Sequence, residues 1–101
     1  AIGEFRVFGK GNGLQPKTPK DFSSIRQRDE RNASIDWKSV KDAQGYVLYW
    51  GIAPNRLNNS VMIYEENEYE LRALNVGQTY YYQVESFNEN GISEKSKIVK
   101  N

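Results

Sequence analysis

Residues 80–87 read Tyr-Tyr-Tyr-Gln-Val-Glu-Ser-Phe, and no other stretch of the chain limits its fold as tightly. Tyr80, Tyr82, Val84 and Ser86 alternate with Tyr81, Gln83, Glu85 and Phe87. A helix would spread either set around its circumference. A pleated strand sends one set to a core and the other outward. Gly77 precedes the run and Asn88-Glu-Asn-Gly91 follows it, so turns bound it on both sides. This is the pattern of a half-buried antiparallel strand.

The same period recurs upstream. Ala33, Ile35 and Trp37 alternate with Ser34, Asp36 and Lys38, and Trp37 is the largest apolar group available to seed a core. Residues 46–50 are denser in apolar side chains and read as a central strand. Tyr46, Leu48 and Trp50 then face inward, and Val47 and Tyr49 outward. Phe22 and Ile25 fall in a short first strand, residues 61–64 in another, and Tyr69 and Leu71 in the strand before Leu74. Residues 92–99 read as a single closing edge strand. Between them lie a charged turn at 26–32, taken as solvated, and a turn at 41–45 in which Gly45 is free to take positive φ. Residues 51–60 form a longer connection with room for one helical turn. No window of eleven residues keeps apolar groups at helical spacing. About seven short strands separated by turn signals predict an all-β, seven-stranded antiparallel sandwich.

Charge and composition narrow what such a sandwich can do. Fourteen basic and thirteen acidic residues nearly cancel, which argues against a nucleic-acid partner. Cysteine and histidine are absent, removing disulfides, thiolate metal sites and the commonest general base. No apolar run approaches the roughly 20 residues of a membrane helix, so membrane insertion is not expected. No cofactor motif is present. Gly9-x-Gly11-x-Gly13 has the wrong spacing for a dinucleotide fingerprint and no helical pattern follows it.

The first residues differ from the rest. Residues 2–8 read as a short strand with Phe5 and Val7 on one face. Gly9, Gly11, Gly13, Pro16 and Pro19 then make a linker composition. The expected division is residues 1–9 as an arm or the last strand of a preceding module, 10–19 as linker, and 20–101 as the main domain. The opening Ala1, in place of Met, suggests a piece of a longer protein.

From about Pro19 onward the chain resembles a fibronectin type III domain. Trp37, Tyr46-x-Leu-x-Trp50, Leu74-x-x-Gly77-x-x-Tyr80-x-Tyr82-x-Val84 and Asn88-x-x-Gly91-x-Ser93-x-x-Ser96 carry the likeness. It implies an immunoglobulin-like sandwich without disulfide, with Trp37, Leu74 and Tyr80 as structural residues. Tyr80 would then form a tyrosine corner, its hydroxyl bonding back to upstream backbone. The proline usual two residues after the corner leucine is Val76 here, and there is no Arg-Gly-Asp tripeptide. A narrower stretch, Ile2-Gly-Glu-Phe-Arg-Val-Phe-Gly9, resembles the closing strand of a discoidin-like, galactose-binding module. That order of modules is similar to the C-terminal part of Bacteroidetes glycoside hydrolases, family 43 xylosidases and arabinosidases. The resemblance implies a non-catalytic accessory module of a secreted, periplasmic or outer-membrane-associated enzyme, with neighbouring domains of the same polypeptide as partners; the alternatives are a carbohydrate-binding module and a generic extracellular adhesion or protein-interaction domain.

Within the segment itself, a glycosidase would need two carboxyl groups across a sugar-sized cleft. Glu65, Glu66 and Glu68, and Glu85, Glu89 and Glu94, fall in turns and strand edges with no apolar pocket evident, so no catalytic residue is assigned. Clustered carboxylates at Glu65, Glu66 and Glu68 would suit calcium, but their spacing matches no loop of known geometry, and a solvated turn explains them. The outward aromatics Tyr49, Tyr81 and Phe87 remain. They form one candidate contact surface, for polysaccharide stacking or for a partner domain, unless charged side chains or the N-terminal arm with Phe5 and Phe8 cover them.

Overall fold

The computed structural model describes residues 14–101, and these form two packed antiparallel sheets. The strands are β1 (Ser23–Arg26), β2 (Ala33–Asp36), β3 (Gly45–Gly51), β4 (Asn59–Tyr64), β5 (Glu68–Leu71), β6 (Tyr81–Asn88), β7 (Gly91–Ile92) and β8 (Val99–Lys100). One sheet has the order β1-β2-β5; the other runs β4-β3-β6-β7, with β8 also pairing β6. The connection 51–60, which left room for one helical turn, holds a turn closed by the Arg56 amide on the Ala53 carbonyl.

The core lies between the sheets, where the alternation places it. Ala33, Ile35 and Leu71 come from the smaller sheet, and Tyr46, Leu48, Ile63, Tyr82 and Val84 from the larger, all buried. Trp37 follows β2 and is buried with its ring 5.1 Å from that of Tyr46, edge to face. Phe22 packs on its other side at 6.4 Å. Each large apolar side chain sealed this way stabilises the fold by about 2–3 kcal/mol. The Tyr46 hydroxyl stays satisfied by accepting from the Val40 amide at 2.9 Å.

Three local expectations are corrected. The closing segment is two short strands, giving eight strands in place of seven. The register explains the split. Phe87 pairs Ile92, the Ser96 amide bonds the Val84 carbonyl, and Tyr82 pairs Val99, so the closing segment gains one residue on β6 at each step. These are two bulges. At each, a serine hydroxyl replaces a main-chain acceptor: Ser93 accepts from the Ser86 amide at 2.9 Å and Ser96 from the Val84 amide at 3.1 Å. Second, Gly45 is a strand residue outside the positive-φ set. The left-handed residue of the turn before it is Asp42, at φ 68°. Gly45 is needed for space, since a Cβ there would sit 2.8 Å from Phe87 Cζ and 2.9 Å from the Ile63 carbonyl oxygen. Third, the charged run at 26–32 is not wholly solvated, because Arg26 is half-buried.

Residues 14–19 lie along one end of the sandwich, with Pro16 and Pro19 buried. The Ser86 hydroxyl donates to the Lys17 carbonyl at 2.6 Å, and the Thr18 hydroxyl to that of Glu94 at 2.9 Å. Residues 1–13, including the proposed strand at 2–8, lie outside the described residues.

Candidate functional site

Two surfaces flank β6. At its start is the corner built by Leu74, Gly77 and Tyr80. The Tyr80 hydroxyl accepts from the Asn75 amide at 2.9 Å, tying the strand start to the loop before it. Gly77 takes φ 82°, which glycine adopts without a Cβ clash. Arg26, from the end of β1, lies over the Tyr80 ring at 5.2 Å. Its guanidinium donates to the carbonyls of Glu30 at 2.6 Å, Asn75 at 2.7 Å, Gln78 at 2.9 Å and Asn101 at 3.4 Å. Asn101 completes the set, exchanging main-chain bonds with Tyr80 and accepting from the Tyr82 hydroxyl at 3.0 Å. Burial raises the Tyr82 hydroxyl to about 12, against the opposing pull of Arg26.

The second surface is the outer face of the larger sheet, where Tyr49, Tyr81 and Phe87 project and are all half-buried. They share the face without forming one platform. Tyr49 stands opposite Gln83, Tyr81 opposite Gly51, and Phe87 opposite Gly45. Six residues of strand separate Tyr81 from Phe87, about 20 Å. Tyr49 is held in the middle. Its hydroxyl donates to Glu85 Oε2 at 2.8 Å, and the Lys95 ammonium sits 4.5 Å over its ring. Burial first, then the Glu85 hydrogen bond and charge, raises the Tyr49 hydroxyl to about 12. Glu85 itself is only 6% exposed, although the alternation put it on the outer side. Tyr49 bonds to it from the neighbouring strand.

Phe87 has other neighbours. Its ring lies across the space left by Gly45 and meets Tyr64 of β4 edge to face at 5.8 Å. Ile92 pairs with it from β7, and Met62 follows two residues before Tyr64 on the same face. Met62, Tyr64 and Ile92 are 59%, 59% and 57% exposed, so an apolar patch stands open at this end. The sequence reading took Phe87 but missed these three. The strand period of residues 61–64 carried the signal, since Met62 and Tyr64 alternate with Val61 and the buried Ile63.

On the opposite sheet an open groove of about 350 Å³ runs past Asp36, Glu66, Glu68 and Glu70. Among the described residues no group of three or more His, Cys, Asp or Glu is placed to hold a metal ion.

A family model for the fibronectin type III domain matches residues 17–101, which contain the corner, the sandwich and the bulged closing segment. The chain belongs to the fibronectin type III family. Solved fibronectin type III structures have the same fold. An Fn3-like protein from Clostridium thermocellum superposes with a TM-score of 0.76 at 16% identity, covering 84% of this chain and 90% of that one. The FN1–FN3 domains of chicken CNTN1 give 0.74 at 22% identity, covering 86% and 32%. A Kelch domain-containing protein of Saccharolobus solfataricus is 28% identical over 85 residues, 83% of this chain. The chain spans only 11% of that relative's length.

Proposed function

We propose that this fibronectin type III domain is a non-catalytic spacer that sets the distance and orientation of neighbouring modules in a longer polypeptide. The observation that carries the reading is where the backbone enters and leaves. Leu14 lies at the β6–β7 turn, its carbonyl accepting from Asn88 and Asn90, whereas Asn101 is bonded to Tyr80 at the other end of β6. The strand between spans about 27 Å, so modules attached at the two ends would be held apart by a rigid sandwich. The Kelch domain-containing relative supports this, since the matching stretch is a small part of a much longer chain.

The parent we infer is a secreted polysaccharide-degrading glycoside hydrolase of the family 43 type, acting outside the cytoplasm. Support comes from the likeness of residues 2–9 to the closing strand of a galactose-binding module, followed after a short linker by this domain. A carbohydrate-binding role for Tyr49, Tyr81 and Phe87 is disfavoured by geometry. Lys95 occupies the ring face of Tyr49, and the other two are about 20 Å apart, beyond one sugar ring.

Titration of the 101-residue chain with xylo- and arabino-oligosaccharides, followed by Trp and Tyr fluorescence, separates the readings. The spacer predicts no shift at millimolar sugar. Saturable quenching would replace it with a binding module, and hydrolysis of a glycoside by this chain would overturn it.

A further inference from the structure

We infer that β4 is a pairing edge for a second copy of this chain, the two copies joining their larger sheets antiparallel about a two-fold axis at Met62. The inference stands apart from the spacer reading. The first observation is which way the main chain points. Among the described residues β4 pairs only β3, so its other side is open. Main-chain groups alternate sides along a strand. On β6 the Ser86 and Val84 carbonyls accept from Ser93 and Ser96, so Phe87, Glu85 and Gln83 turn theirs toward β3. Opposite them Val47 and Tyr49 face β6, which leaves Tyr46, Leu48 and Trp50 facing β4. Their partners Ile63, Val61 and Asn59 face back. The Ile63 carbonyl oxygen agrees, lying 2.9 Å from where a Cβ on Gly45 would stand. The amides and carbonyls of Ser60, Met62 and Tyr64 therefore point out of the sheet.

The second observation is self-complementarity. Pairing about the axis sets Met62 against the second copy's Met62, and Ser60 against the second copy's Tyr64. Each such pair exchanges both main-chain bonds, so every outward amide and carbonyl of these residues is satisfied at once. The same register brings the Met62 and Tyr64 side chains of the two copies together on the outer face. Both are 59% exposed in the single chain, and cross-strand apolar contacts of this kind stabilise a sheet.

The third is charge, which selects a second copy as the occupant. Residues 59–64 carry no charge and no proline, so nothing on the strand repels its own image. Arg56 lies shortly before the strand, and Glu65 and Glu66 follow it. Antiparallel pairing sets the basic end of each copy beside the acidic end of the other. β5, an edge of the smaller sheet, lacks this match, because Glu68 and Glu70 would meet the same carboxylates of the second copy. A two-fold contact uses up both β4 edges, so assembly stops at two.

Sedimentation equilibrium of the full chain from about 10 µM to about 1 mM covers the range in which a small interface associates. The mass should rise from 11.7 kDa toward twice that value and no further. Amide hydrogen exchange, read by NMR at both ends of the range, locates the contact. Exchange at Ser60, Met62 and Tyr64 should slow about tenfold once about nine-tenths of the chain is dimeric. Val61 and Ile63, bonded to β3, should not change. Met62→Lys sets like charges against each other at the axis and should return the chain to monomer. A monomer at every concentration would overturn the inference, as would growth beyond two copies. So would a dimer whose Met62 amide exchanges as fast as in the monomer, or a Met62→Lys chain that still dimerises.

Discussion

At its Tyr81 end β6 is fastened by polar groups, each with a partner; at its Asn88 end the same strand presents hydrocarbon to solvent. Arg26, Tyr80, Tyr82 and Asn101 form a closed network at the first end, joining β1, the 75–80 loop and the last residue. At the second, Tyr64 meets the Phe87 ring and donates its hydroxyl to Met62 Sδ, Ile92 pairs with Phe87, and all but Phe87 are more than half exposed. A polar group that is buried and left unpartnered costs stability. An exposed apolar group costs little until something arrives to cover it. The first end therefore maintains the domain, and the second is free to serve contact.

Substitutions should separate the two ends by size of effect. Gly51→Ala, beside Tyr81, should be the most damaging, since a Cβ would overlap the Arg56 carbonyl and come within 2.9 Å of Leu57 Cα. A loss of about 3 kcal/mol in denaturant unfolding is expected. Arg26→Met keeps much of the packing but removes the guanidinium from four carbonyls, of which those of Asn75 and Asn101 keep main-chain donors, for about 2 kcal/mol; a change within error would show the network to be ornamental. Tyr80→Phe removes one buried acceptor and should cost about 1–2 kcal/mol, read as a lowered melting temperature. At the other end Ile92→Ser should stay within about 0.5 kcal/mol. A larger loss there would mean that the patch belongs to the core.

Alkaline titration tests the fastened end in another way. The Tyr82 hydroxyl is raised from 10.0 to about 12, so the unfolded chain releases its proton first. Its contribution is complete below pH 10 and is lost as pH rises through about 12. Tyr82→Phe should reduce that part of the stability profile, leaving the Tyr49 contribution in the same window, and phenolate absorbance should show the delayed titration directly.

Much of this was legible from residue spacing. Alternation along residues 33–37, 46–50 and 80–87 named eight of the twelve core residues, because period two survives translation into a pleated sheet. The corner of Leu74, Gly77 and Tyr80 was expected from the resemblance to the fibronectin type III family. Arg26 was not legible. It sits in a run of exposed charges, and three of its acceptors, Asn75, Gln78 and Asn101, lie about 50 to 75 positions away. Glu85 misled because it is buried beside Tyr49 of the neighbouring strand β3, and parity counts only its own. The split of the closing strand was hidden too. Ser93 and Ser96 stand out only once their hydroxyls are seen taking main-chain roles.

Those two serines also bear on how such domains behave when many are crowded together. A straight closing strand would leave a continuous row of free amides and carbonyls, a template onto which a neighbouring molecule could zip. Here two bulges bend the border of the sheet, and charged Glu94, Lys95 and Lys97 crowd the same few positions. A foreign strand would find no register to follow for more than a couple of residues. Protection against aggregation is thus written into the irregularity that makes the closing segment look poorly formed.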